Sequence, residues 1–280
     1  MSRRDTRARI QLELDCAGAK PVQTQWLSTD VTPGVDHRKQ NALHFAVDEC
    51  HDSTLIQRLC RAMKQHVNDQ DVEGNTPLHL AAYRNKGDFV EILIENGALL
   101  DVANHRGETA MHHAANECYT GALEPLIKAG CNLHARNEYG NTPLHVANTK
   151  ELDQLIARGI ITEEAQHACD PYRLLVAAGA DINALNNHQC TPLHLAAMDG
   201  DHHGVAVLLE LGADLELKDC DGATALEEAA DDRCRELLAR AKARLHKERL
   251  SEIAVTRCPG FDSVADVDEI QVQQSRSRRM

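Results

Sequence analysis

The chain has 280 residues, of which 42% are apolar and only 3% aromatic, and its formal net charge is −13. This length suits one or two globular domains or one elongated array, and the scarcity of large rings favours an array of short helices packed by Leu, Ile, Val and Ala. Residues 36–240 carry 33 acidic and 17 basic side chains, a net charge of −16. Such a surface repels nucleic acid and favours a protein partner with a basic surface.

Ten cysteines are spread along the chain without any C-x-x-C pair. This spacing is neither that of a zinc ribbon nor that of a compact disulfide framework, so it predicts free thiols in a reducing compartment. No apolar run approaches the ~18 residues of a membrane span, and the Arg-rich N-terminus lacks the apolar core of a secretory signal. We therefore expect a soluble, monomeric, cytoplasmic protein without a membrane partner, with the nucleus as the alternative compartment.

Residues 1–35 precede the repeated part of the chain. Ile10, Leu12 and Leu14 alternate with polar residues, which is the pattern of a short strand, and Trp26 could cover the apolar end of the first repeat. Two interpretations remain open for this segment. It is either an N-terminal cap or arm, or a strand that binds a partner.

A four-residue motif then recurs from residue 41 onward. Its copies are Asn41-Ala42-Leu43-His44, Thr76-Pro77-Leu78-His79, Thr109-Ala110-Met111-His112, Thr142-Pro143-Leu144-His145, Thr191-Pro192-Leu193-His194 and Thr224-Ala225-Leu226-Glu227. Their first positions are separated by 35, 33, 33, 49 and 33 residues. A period of 33 residues with T-P-L-H-x-A is the ankyrin signature. Residues 36–245 therefore resemble an ankyrin-repeat protein.

The resemblance implies an all-α solenoid of about six helix-turn-helix units joined by hairpin-like fingers. The units are expected near residues 36–70, 71–103, 104–136, 137–185, 186–218 and 219–245. Within the second unit, Thr76 predicts a helix N-cap, Pro77 its first helical residue, and Gly97 a left-handed residue that ends the second helix. Equivalent helix ends are predicted at Gly130, Gly179 and Gly212.

The motif histidine has a structural role in proteins of this family, where it forms hydrogen bonds around the Thr and the neighbouring backbone. The resemblance implies this role for His44, His79, His112, His145 and His194. Two adjacent pairs, His112-His113 and His202-His203, point in different directions on a helix and make poor chelates. No metal site and no cofactor are predicted.

The fourth unit departs from the period, since 49 residues separate Thr142 from Thr191. The surplus at residues 148–170 is expected to project from the connection between the two helices of this unit. It is either a functional loop or drift in a surface loop. Asp170 and Pro171 predict the cap and first residue of the restored second helix.

The sixth unit has lost two residues of the motif, because Ala225 replaces Pro and Glu227 replaces His. This loss is typical of a terminal repeat, whose outer face is polar because nothing stacks on it. Residues 246–280 are expected to form a disordered tail. Its basic end would be a localisation or docking signal, although four basic residues define such a signal weakly.

No catalytic motif is present in the sequence, since it contains no G-x-S-x-G, G-x-x-x-x-G-K-[ST], H-E-x-x-H or G-x-G-x-x-G. We therefore expect a protein that is not an enzyme. The alternative outside binding is an enzyme whose site lies in the insertion, with Cys169 as the reactive thiol.

The resemblance implies binding of a protein partner through the finger tips and the concave face formed by the first helices. Such a module acts as a scaffold or an inhibitor, or, alternatively, as a microbial host-directed or antitoxin-like factor or an adaptor in an enzyme complex. Carried over by motif, the contact residues are Val72, Glu73, Asn75, Tyr83, Arg84, His105, Arg106, Glu108, Asn116, Glu117, Glu138, Tyr139, Asn141, Asn187, His188, Cys190, Met198 and Asp199. Gln189 replaces the finger Gly of the fifth unit, and we expect it to change that tip.

Overall fold

A computed structural model describes residues 39–49, 51–116, 120–149 and 170–257. The helices of these segments are α1 Ala42–Glu49, α2 Ser53–Ala62, α3 Pro77–Tyr83, α4 Gly87–Glu95, α5 Ala110–Asn116, α6 Leu123–Ala129, α7 Pro143–Val146, α8 Pro171–Ala177, α9 Pro192–Asp199, α10 His202–Glu210 and α11 Asp232–Arg257, with a 3₁₀ turn at Lys64–His66. The N-terminal segment, the body of the insertion and the tail from residue 258 lie outside the described residues.

The helices pack as successive pairs, so the predicted all-α solenoid is confirmed. The first helices of the units, α1, α3, α5, α7 and α9, contact one another in chain order, and the second helices, α2, α4, α6, α8, α10 and α11, do the same. None of the helices within the described ranges combines the length and hydropathy needed to cross a membrane.

The third residue of each motif supplies the core of the array. At this position Leu43, Leu78, Met111, Leu144 and Leu193 are all at most 1% exposed. Full burial of such a side chain contributes about 1.5–3 kcal/mol. The Ala pair that follows, such as Ala81 and Ala82, is fully buried as well, because small side chains let consecutive first helices approach closely.

The motif histidine closes the N-terminus of its own helix. In the second unit the His79 Nδ1 lies 3.1 Å from the Thr76 backbone nitrogen and 2.9 Å from its Oγ1, which forms a capping box with His in place of Glu. The same box is present at Thr142 and Thr191. The predicted N-cap and the Pro at the first helical position are thereby confirmed.

The opposite ring nitrogen of each motif histidine bonds the next unit. His Nε2 lies 2.9–3.3 Å from the backbone oxygen of the residue before the next motif, so this nitrogen donates and Nδ1 accepts. The pairs are His44 to Asn75, His79 to Glu108, His112 to Asn141, His145 to Cys190 and His194 to Ala223. The structural role that the resemblance implied for these histidines is confirmed.

The last unit keeps the side-chain cap on the motif Thr but lacks the hydrogen bond to a following unit. Glu227 Oε2 accepts from the Thr224 backbone N–H at 2.7 Å and from its hydroxyl at 3.0 Å. A carboxylate has no hydrogen to donate onward, and no further finger follows among the described residues. The first helix of this unit shrinks to a turn at residues 225–227, and α11 covers the end of the array.

The end of the array lies farther along the chain than expected. Helix α11 continues through residues 246–257, which were assigned to the disordered tail. Ion pairs at i,i+4 spacing, Arg240–Glu236 and Arg244–Glu248, support the part of the helix that leads into this segment.

The ends of the insertion are anchored by a buried polar network. Asp170 caps α8 by accepting from the Tyr172 and Arg173 backbone N–H groups, as predicted. The Tyr172 hydroxyl lies 2.6 Å from the Ala147 oxygen and 3.1 Å from Asp201 Oδ2. Thr149 donates to the same carboxylate at 2.5 Å. The residues at the start and at the end of the insertion are therefore held in fixed positions by hydrogen bonds.

The glycines expected at helix ends have positive φ, with values of 90°, 84°, 103° and 91° at Gly97, Gly130, Gly179 and Gly212. In the fingers, Gln189 adopts φ 58° where the other fingers have glycine. Its tip keeps the same backbone hydrogen bonds as the others, so the change expected there is absent from the backbone. The positive φ that this turn requires is therefore adopted by a residue with a Cβ, which is sterically unfavourable.

We expect Gln189→Gly to raise the free energy of unfolding by about 0.5–1 kcal/mol, because glycine has no Cβ to strain at positive φ. Denaturant unfolding at constant pH measures the change. Gly107→Ala is the matched opposite, since its φ is 74° and an added Cβ would lie 3.0 Å from the Glu138 nitrogen. Gly107→Ala should destabilise the protein. Changes of the same sign in the free energy of unfolding of the two variants would contradict this account.

We also expect stability to fall in mild acid. Burial lowers the pKa of His79 and His145 to about 4, below the value of about 6.5 in an unfolded chain. The unfolded state therefore binds protons first, so stability is complete above pH about 6.5 and is lost progressively towards pH about 4. Each of the two histidines should cost about 2 kcal/mol between pH 7 and pH 5.

Chemical denaturation at the two pH values measures this loss. His79→Gln should remove part of the pH dependence while lowering stability at pH 7. His105→Gln changes an exposed finger residue and serves as the control, which should keep the wild-type slope. A His79→Gln protein with an unchanged slope would show that His79 does not contribute to the acid response.

Candidate functional site

Each finger is shaped by one Asp or Asn side chain at its base. The Oδ1 of this residue accepts hydrogen bonds of 2.9–3.0 Å from the backbone N–H groups two and four residues later. The residues are Asp71, Asn104, Asn137, Asn186 and Asp219. All five are at most 9% exposed. Their side chains hold the tip in a tight turn, as Asp and Asn do in Asx motifs.

Backbone hydrogen bonds join the tips of neighbouring fingers. A carbonyl of one finger accepts from an N–H of the next at 2.9–3.0 Å. The pairs are Glu73 with His105, Arg106 with Glu138, Tyr139 with Asn187 and His188 with Cys220. The five fingers therefore form one continuous line, and the side chains on it keep fixed positions relative to one another. We call this row of tips the finger line.

Most of the predicted contact residues are exposed on this line or at the C-terminal ends of the first helices. The exposed ones are Val72, Glu73, Tyr83, Arg84, His105, Arg106, Asn116, Glu138, Tyr139, Asn187, His188, Met198 and Asp199. Tyr83, Tyr139 and Met198 are 45%, 56% and 44% exposed. These are large fractions for apolar side chains, and they identify the side chains that are free to contact a partner. Glu117 lies outside the described residues.

Four predicted contact residues are less available to a partner. Glu108 and Asn141 are half-buried, while Asn75 and Cys190 are only 6% exposed. Asn75 Oδ1 accepts from Asn104 at 2.9 Å, and Asn141 Oδ1 accepts from Asn186 at 2.8 Å. These amides tie one finger to the next, so their side chains serve the scaffold. A contact with a partner stays a prediction for all the residues above.

A cluster of side chains connects the finger line to the first helices. The His113 ring lies 3.7 Å from the Glu108 carboxylate in the finger and makes an edge-on contact with Tyr83 at 6.1 Å between centroids. The Arg84 guanidinium lies 5.4 Å from the Tyr83 centroid and bonds Asp48 at 2.6 Å. We call Asp48, Tyr83, Arg84, Glu108 and His113 the junction cluster. It spans three units.

Charge in the junction cluster follows from burial. Desolvation, with the neighbouring His112 and Arg106, lowers the pKa of His113 to about 4. The ring is therefore neutral at pH 7, and its approach to Glu108 is not an ion pair. The hydrogen bond to Asp48 raises the pKa of Arg84. The cluster presents a Tyr ring beside a paired guanidinium, which is a surface for contacts rather than for proton transfer.

The buried thiols do not form a nucleophilic site. Burial raises the pKa of Cys60 to about 11 and that of Cys131 and Cys234 to about 12. Without a bound metal ion these thiols are protonated at neutral pH, and they are therefore unreactive as nucleophiles. Cys169, the residue named for the alternative enzyme, lies outside the described residues.

The sequence interpretation missed three features of this surface. The Asx residues at the finger bases recur with the same 33-residue spacing as the motif, as in Asp71, Asn104 and Asn137, and this signal could have revealed them. His113 was considered only as half of a possible chelate. Asp48 carries no motif signal, because its contact with Arg84 depends on how two units stack.

Comparison with known proteins identifies repeats in most of the array. Family models described as ankyrin repeats match residues 64–114, 106–138 and 165–247, which together cover more than half of the chain. A curated relative, "Transcription factor MBP1" of Kluyveromyces lactis, is 46% identical over 41 residues. That match covers 15% of this chain and 5% of the relative, so the likeness is confined to a short segment.

Proposed function

This chain belongs to the ankyrin-repeat family, and on that basis we propose that it acts as a scaffold or inhibitor that holds one protein partner on the finger line and the junction cluster. The family indicates a protein–protein interaction module. The observation that supports the proposed face is the unbroken row of backbone hydrogen bonds joining the finger tips. No catalytic step is part of this proposal.

A surface held in this way is well suited to binding. Association costs free energy when loops and side chains must become ordered. The finger tips are already fixed by the Asx bonds and by their neighbours, so little further ordering is needed. A partner can then dock as a rigid body with small backbone changes.

The exposed apolar side chains are the proposed anchors. Tyr83 and Tyr139 combine a large ring with a hydroxyl, and residues of this type often dominate interface energies. Met198 adds an adaptable apolar contact farther along the array. The three residues belong to the second, fourth and fifth units, so a single partner would span several repeats.

The charges favour a partner with a basic surface. The exposed carboxylates of Glu73 and Glu138 lie on the finger line, and that of Asp199 lies on the last residue of α9. Arg84 is paired with Asp48, which reduces its repulsion of a basic partner. This distribution agrees with the net charge of −16 for residues 36–240 and supports electrostatic steering of association.

The double variant Tyr83→Ala, Tyr139→Ala should lose the partner. Truncation of a Tyr side chain at the centre of an interface often costs about 2 kcal/mol or more of binding free energy. We therefore expect affinity to fall by at least about tenfold. The measurement is quantitative capture of proteins from the native host by the wild-type and variant chains, followed by a binding titration with the purified partner.

Leu99→Ala is the matched control, because Leu99 is 60% exposed and lies in the loop after α4 rather than on the finger line. It should bind as the wild type does. Circular dichroism and thermal unfolding establish that the double variant is folded. A folded double variant that keeps full affinity would exclude this face.

Raising the ionic strength should weaken the complex, because exposed charge pairs are screened when the Debye length falls from about 10 Å at 0.1 M to about 3 Å at 1 M. The expected loss lies mainly in the association rate, measured by surface binding kinetics. Glu73→Gln with Glu138→Gln should flatten this salt dependence. Affinity independent of salt in the wild type would rule out a basic partner surface.

A further inference from the structure

The junction between the last two units brings together three side chains of different chemistry. His202 is the first residue of α10, Asp231 directly precedes α11, and Cys234 lies in the first turn of α11. One nitrogen, one carboxylate oxygen and one sulfur from these residues all lie within 4.8 Å of one another. In the part of the chain that the structure describes, no other group of His, Cys, Asp and Glu meets this condition.

We propose that His202, Asp231 and Cys234 bind a divalent cation of the Zn²⁺ class, with water in the fourth position. Zn²⁺ takes imidazole nitrogen, carboxylate oxygen and thiolate sulfur in tetrahedral sites, with bonds of about 2.0–2.3 Å. Binding would release the proton of the Cys234 thiol to solvent, because a coordinated thiol is deprotonated. Ligand atoms in such a site lie about 3.3–3.8 Å apart. The present separations, 2.7 Å between His202 Nε2 and Asp231 Oδ2 and at most 4.8 Å among all three ligand atoms, bracket that range.

The backbone around these residues holds the ligands in place. Asp231 accepts the Cys234 backbone N–H on Oδ1 at 2.7 Å, while its Oδ2 lies 2.7 Å from His202 Nε2. One oxygen is thus fixed and the other points to the shared space, which is how hydrogen bonds orient metal-binding carboxylates. The Ala230 N–H donates to the Ala197 oxygen at 3.0 Å and keeps the two units in register.

The space for the carboxylate depends on Gly200. This residue has φ 69°, and a Cβ at this position would lie 3.1 Å from Asp231 Oδ2. His202 and Asp231 are 28% and 38% exposed at the side chain, whereas Cys234 is fully buried. The sulfur therefore closes the inner side of the site, and the two other ligands leave an outer side open to water.

The site arises where the last unit departs from the repeat. In the fifth unit the second helix begins five residues after the Ala pair, at His202 after Ala197, whereas in the sixth it begins two residues after, at Asp232 after Ala230. This shorter connection brings Asp231 and Cys234 against the preceding unit. A cation there would join α10 to α11 and stabilise the end of the array.

Cobalt titration of the full chain, freed of metal by a chelator, tests the proposal. One equivalent of Co²⁺ should produce a thiolate-to-cobalt absorption band in the near ultraviolet, and Zn²⁺ should displace it. Cys234→Ser should abolish the band. Cys131→Ser, which removes a buried thiol from another unit, should keep it. Zn²⁺ should raise the midpoint of thermal unfolding of the wild type and of the control only.

His202→Asn should weaken Zn²⁺ binding more than tenfold. Asp231→Asn keeps an oxygen for the Cys234 N–H and removes the charge, so it should lose the band while remaining folded. Asp231→Asn therefore tests the metal site if Cys234→Ser does not fold. Absence of the band in the wild type, or its survival in Cys234→Ser or Asp231→Asn, would overturn the site and leave a hydrogen-bonded His–Asp pair.

Discussion

The array depends on the imidazole ring of the motif histidine, which forms hydrogen bonds through both of its ring nitrogens. Nδ1 of the motif histidine accepts from the cap of its own helix, and Nε2 donates to the backbone of the next unit, as His79 does with Thr76 and Glu108. Only a neutral ring can accept and donate at once, and burial keeps it neutral. Helix initiation and contact between units thus share one side chain, and a replacement must be able both to accept and to donate if it is to keep both.

The fingers and the helices are stabilised by different means. The helices stack through apolar side chains such as Leu78 and Met111, whereas the fingers contain few apolar groups and are held by hydrogen bonds to Asp or Asn. A hydrogen bond contributes only about 0.5–1.5 kcal/mol, yet it fixes direction where apolar packing does not. The fingers therefore have a fixed shape, while the apolar core supplies most of the stability.

The sequence predicted most of the fold, because period and turn chemistry are local. Thr76, Pro77 and Gly97 have the roles that their own backbone preferences indicate. The surface was predicted less well. Asn75 was taken as a contact residue, but it bonds Asn104 of the next finger, and the pairing of Arg84 with Asp48 joins residues 36 positions apart. Such contacts depend on the stacking of units, which a motif does not encode.

The replacement of His by Glu at position 227 also ends the series of hydrogen bonds that join one unit to the next. In a row of identical units every end would present the same bonding groups as the interior, and two molecules could continue the row from end to end. Glu227 satisfies Thr224 but passes nothing onward, and the charged flank of α11 covers what remains. The exchange of one residue thus ends the series of histidine bonds at this unit, as a monomer without a second reactive group ends the growth of a polymer.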